Sequence, residues 1–128
     1  MITKKVVLTV QGENSILSDK IVMFKADDGI RLNFNIKQSK YKFDKDPEDL
    51  VNLFNAQKAS ILILRPNKSS FTTKITNIVN NTVTFDISRD MIDENSELGE
   101  YKLQIHLYDK DNNRLTIPPV SFFVKDTI

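Results

Sequence analysis

The run Ile30-Arg31-Leu32-Asn33-Phe34-Asn35-Ile36-Lys37 decides the fold class. Apolar and polar side chains swap at every position, the period of a β-strand with one face in a core and the other in water. The pattern recurs at 83–88, at 101–107 and at 120–125, where only Phe123 breaks it. Weaker strand candidates lie at 3–10, 21–25, 59–65 and 71–78.

Turn residues punctuate these runs. Asp27-Asp28-Gly29, Pro66-Asn67-Lys68, Asn80-Asn81 and Asp111-Asn112-Asn113 all tolerate or preset unusual dihedrals. Pro118-Pro119 cannot donate to a strand ladder and so belongs before a strand or at an edge. Many short strands separated by turns predict a β-sandwich. Shared parity points Leu32, Phe34, Ile36, Ile61, Ile63, Val83, Phe85, Ile87, Tyr101, Leu103, Ile105, Phe122 and Val124 inward. One segment departs from the strand pattern. Asp46 as N-cap, Pro47 at the first helical position and an apolar stripe of Leu50, Leu53 and Phe54 predict a short helix in a connection. A further single helical turn is expected within 89–95.

Composition narrows function. At 128 residues the chain has the length of one domain, with no internal repeat or linker. A net charge of +1 supplies no field to attract nucleic acid. The absence of Cys removes disulfides, thiolate metal sites and Cys nucleophiles, and a single His removes most His-based triads. Lys4-Lys5 precede an apolar run at 6–10 that is too short for a signal-peptide core, and no stretch is long enough to span a bilayer. No membrane association is expected, and synthesis is expected in a cytoplasm.

The chemical motifs are few. Asp109-Lys110-Asp111-Asn112-Asn113 opens like a calcium loop, but Arg114 stands where Gly is required and Val120 where Glu is required, so a hairpin turn is expected. Asp44, Asp46 and Glu48 read as loop and helix-start charge. His106 shares the polar parity of Lys102, Gln104 and Tyr108 and has no companion ligand. No catalytic, cofactor-binding or metal-ligating residue is assigned, and an enzyme is not expected. Glu97-Leu98-Gly99-Glu100-Tyr101 resembles the tyrosine corner of immunoglobulin-like sandwiches, with Leu103 where antibody domains carry a Cys.

Three patterns together resemble the N-terminal domain of siphophage baseplate upper proteins. The first is Ile21-Val22-Met23-Phe24, an Asp, then residues 30–36. The second is Ala59-Ser60-Ile61-Leu62-Ile63-Leu64-Arg65-Pro66-Asn67. The third runs from Gly99 to Leu107, through a polar turn, to residues 120–126. The match begins near residue 21. The family turn after the proline is usually Asp-Gly, where this chain has Asn67-Lys68.

The resemblance implies an all-β, immunoglobulin-like antiparallel β-sandwich over 1–128, the N-terminal part of a longer protein. It implies a virion structural role: a tail or baseplate adaptor that docks receptor-binding components to the tail hub, in a homo-oligomeric full-length protein. An immunoglobulin-like carbohydrate- or surface-binding module of a bacterial protein is the alternative. In such a fold the strands at 59–65, 101–108 and 120–125 share a sheet. Leu62, Leu64, Tyr108 and Phe123 then face outward and are the candidate protein-interface residues, unless the helix with Leu50, Leu53 and Phe54 folds over them.

Overall fold

Alternation becomes strand wherever it is strong. The computed structural model describes residues 2–12, 14–24, 29–41, 44–73, 75–87 and 98–126. In chain order it contains β1 (Ile2–Gln11), β2 (Ser15–Ser18), β3 (Val22–Phe24), β4 (Ile30–Ser39), β5 (Glu48–Asp49), α1 (Leu50–Phe54), β6 (Lys58–Leu64), β7 (Ser70–Thr72), β8 (Thr76–Asn77), β9 (Val83–Ile87), β10 (Gly99–Tyr108), β11 (Arg114–Thr116) and β12 (Val120–Lys125). The Asp27-Asp28 part of one expected turn, the helical turn within 89–95 and Glu97 of the corner motif lie outside the described residues.

The strands form two sheets packed as a β-sandwich. The first runs β2-β1-β4-β5, with β9 also paired to β4; the second runs β3-β12-β10-β6-β7, with β11 on β10 and β8 on β6. Every inward residue expected from parity is buried, and Val6, Leu8, Val10, Ile21, Met23, Leu107, Ile117 and Val120 join them in one core. Tyr101 has no exposed surface, and its ring lies against Phe122 with centroids 5.0 Å apart. Gly99 opens β10 at φ +121, a conformation that L side chains rarely adopt.

Three expectations need correction. The sandwich is not wholly antiparallel. β1 runs parallel to β4 from Ile2↔Ile30 to Gln11↔Ser39, and β3 runs parallel to β12. A parallel neighbour requires a crossover. Here β2 folds back beside β1 and β3 crosses to the other sheet before β4 returns. The expected strand at 71–78 is two short strands. Between them the Thr73 hydroxyl takes the place of a backbone acceptor, receiving the Ile61 N–H at 3.0 Å, while the Thr73 N–H donates to the Ile61 carbonyl at 2.9 Å.

The helix also starts later than expected. Its N-cap is Asp49, whose carboxylate accepts from the Asn52 N–H at 3.2 Å, and Asn55 ends it in the left-handed region. Asp46 instead donates its backbone N–H to Asp44 Oδ1. Glu48 and Asp49 pair with Gln38 and Lys37, which holds the chain extended past Pro47. The buried residues of α1 are Leu50 and Val51, while Leu53 is 51% exposed, so the expected stripe is rotated by a residue.

Candidate functional site

α1 packs against β4 and β5, on the first sheet. It therefore does not cover the outer face of the second sheet, where the four candidate interface residues stand. Strands β6, β10 and β12 are neighbours in that sheet, as expected. Inward Ile61, Ile63, Tyr101, Leu103, Ile105, Leu107, Phe122 and Val124 leave the alternate positions facing outward.

Register separates the four residues into three places. Leu62 lies opposite Gln104, and Leu64 opposite Lys102. Together with Pro119 and Ser70 these four line one shallow groove of about 380 Å³. Phe123 stands one strand away, between Glu100 on β10 and Val22 on β3. Tyr108 stands at the far end of β10 opposite Lys58, with its hydroxyl 3.4 Å from Ser60 Oγ. All four are half-buried. Sequence reasoning missed three further members of this face: Pro119, Val22 and the 44%-exposed Phe24. The signal for the β3 pair was present in the strand candidate at 21–25. What sequence could not supply was the parallel pairing that sets Val22 beside Phe123.

A polar network divides the Phe123 region from the Leu62–Leu64 groove. Ser121 Oγ donates to Glu100 Oε1 at 2.7 Å, and Lys102 Nζ contacts both Ser121 Oγ and Glu100. The Lys102 ammonium and then the Ser121 hydroxyl hold the Glu100 carboxyl below its ordinary range. Further along β10, His106 Nδ1 lies 3.1 Å from Thr116 Oγ1. Partial burial, and secondarily the Arg114 charge, push the imidazole below its ordinary value of 6.5.

The acidic loops are satisfied within themselves. Asp109 accepts from the backbone N–H groups of Asp111 and Asn113, both at 2.9 Å, and from the Asn113 side chain at 3.0 Å. The residues following Asp109 form the expected turn, leading from β10 into antiparallel β11, with Asn112 at φ 61. Asp44 accepts from the Lys40 and Asp46 N–H groups. Among the described residues no three His, Asp or Glu side chains converge as a metal site requires.

The two outer faces differ in chemistry. Along β1, β4 and β9 the first sheet turns Thr3, Lys5, Thr9, Arg31, Asn33, Asn35, Lys37, Thr84 and Asp86 to solvent, with Val7 and, opposite Thr9 on β2, the exposed Leu17 as apolar exceptions. The second sheet presents Leu62, Leu64, Pro119, Val22 and Phe123 beside its polar groups. No family model matches the chain, and no curated protein sequence matches it significantly.

Proposed function

We propose that this chain is an architectural docking domain of a phage tail baseplate, which grips a neighbouring tail protein through the outer face of its second sheet. The observation that carries the reading is the apolar groove of Leu62, Leu64 and Pro119, uncovered among the described residues, on a face that a sandwich normally gives to water. The mainly polar outer face of the first sheet, where Val7 and Leu17 are the apolar exceptions, is the internal contrast. The likeness of the strand patterns to baseplate upper proteins supplies the phage context. On this reading the domain works by rigid shape and surface complementarity, and its partners are the tail hub and the receptor-binding components.

The test is assembly. Leu62→Ser combined with Phe123→Ser should abolish co-sedimentation of the chain with purified tail particles while thermal unfolding of the isolated chain stays nearly unchanged. A large loss of stability would mean that the two residues serve the fold. Unimpaired co-sedimentation would remove this face from the docking model. Saturable binding to an oligosaccharide, lost in the same variant, would favour the carbohydrate-binding alternative.

A further inference from the structure

Sheet edges are templates for more strand, and folded proteins protect them. Most edges here are protected or short. The half of β1 that β2 does not cover is met by Asp19, which accepts the Val7 N–H at 2.8 Å and donates to the Val7 carbonyl at 3.2 Å; exposed Lys4 and Lys5 guard the rest. β3, β7 and β11 are three residues long, and β5 and β8 two.

β9 differs. It pairs with β4 on one side, and among the described residues no strand pairs with its other side. Val83-Thr84-Phe85-Asp86-Ile87 contains no Pro, Gly or Lys. Its one charge, Asp86, is already matched by Arg31, whose Nε and Nη2 donate at 2.7 and 3.0 Å. The sandwich is open alongside: a groove of about 330 Å³ runs between β9 and the Ala59, Ile61, Thr73 and Thr76 side of the second sheet.

The strand is also complementary to itself. In a continuous sheet across a two-fold axis, inward residues must face inward residues, so odd positions pair with odd and even with even. Centring the axis on Asp86 would set two carboxylates directly opposite. Centring it on Thr84 would draw Asn81, held at φ 55 in a turn, into the ladder. Centring it on Phe85 keeps all five pairings within extended strand: Val83 opposite Ile87, Phe85 opposite Phe85, and Thr84 opposite Asp86, twice. In the single chain the Thr84 hydroxyl donates to Asn33 Oδ1 at 3.0 Å; turned toward the partner, it becomes a donor facing a carboxylate acceptor in each polar pair.

We propose that two copies of this chain associate through β9, antiparallel and centred on Phe85, joining their first sheets into one. The contact is small, so the dimer is weak and depends on concentration. It uses the opposite sheet from the docking groove and stands or falls independently of it.

Sedimentation velocity of the full chain over a range of concentrations tests this. The expected result is a reversible monomer–dimer equilibrium. Thr84→Asp, which sets like charges opposite in both polar pairs, should weaken it roughly tenfold, and Thr84→Lys should tighten it by a similar factor. Thr84 is exposed, so both variants should fold. The lysine result discriminates, because lysine on an edge strand ordinarily deters pairing. With no native Cys, a mixture of Thr84→Cys and Asp86→Cys chains should give a disulfide-linked heterodimer on oxidation, in preference to either homodimer. A chain that stays monomeric at every concentration, or a dimer indifferent to charge at position 84, overturns the proposal.

Discussion

Lys68 holds φ at 72 and closes the turn after β6 by donating its N–H to the Arg65 carbonyl at 2.9 Å. The left-handed conformation costs an L-residue about 1–2 kcal/mol, part of which glycine forfeits through its freer unfolded chain. Lys68→Gly should therefore raise stability by about 0.5–1 kcal/mol, seen as a higher urea midpoint at unchanged slope. A lower midpoint would show that the Lys68 side chain contributes more than its backbone costs. His106 gives a second prediction at this scale. Its folded imidazole titrates below its ordinary value of 6.5. As pH falls past that value the unfolded chain takes up a proton that the folded chain resists, so stability declines and then levels off below the folded pKa. His106→Gln should flatten this part of the pH profile. The carboxylates of Asp44, Asp86, Glu100 and Asp109, all held below their ordinary values, act in the same direction at lower pH. Their contribution is present above the ordinary carboxylate range and is lost as pH falls through the depressed values.

At the scale of elements, α1 separates what sequence reveals from what it hides. Asp46-Pro47 carries the local signature of a helix start, yet the side chain that caps α1 belongs to Asp49. Asp49→Ala should cost about 0.5–2 kcal/mol and Asp46→Ala much less, as measured by chemical denaturation. Equal losses would put the cap in doubt. The later start has a tertiary cause: β4 extends to Ser39, and its Lys37 and Gln38 hold Asp49 and Glu48 in a ladder. The same reason explains which strands were legible. β4, β9, β10 and β12 each bury one face, so their alternation is written in their own residues. β2, β5, β8 and β11 are short edge pieces whose extended state comes from a neighbour. Ser15-Ile16-Leu17-Ser18 shows no alternation at all, and its pairing with the end of β1 alone makes it a strand.

Across the whole molecule, the core is a consequence of parity, and it was legible because the inward positions are apolar almost throughout, with Lys4 at the exposed start of β1 and Gln38 near the end of β4 as polar exceptions. Phe122 is fully buried and lies against Tyr101. Phe122→Ala should cost about 3–5 kcal/mol by urea unfolding, and an unchanged midpoint would remove Phe122 from the core. The candidate interface was legible only in part. Alternation shows that Leu62, Leu64, Tyr108 and Phe123 leave the core, but their separation into three places follows from strand register. Their neighbours Val22 and Pro119 come from distant parts of the chain. Register also fixes where the chain enters and leaves the sandwich. Ile2 lies opposite Ile30 at the start of β4, and its N–H donates to the Gly29 carbonyl at 2.8 Å. Lys125 lies opposite Phe24, a few residues earlier. The far ends of β1 and β4 meet the approach to β12 instead, where Val10, Gln38, Leu115 and Pro118 share a groove. The start of β1 and the end of β12 therefore occupy one pole. Tension applied through both ends would enter one sheet and leave by the other at that pole, so the packing between the sheets there would carry the pull while the rest of the domain hung beside the line as a pendant.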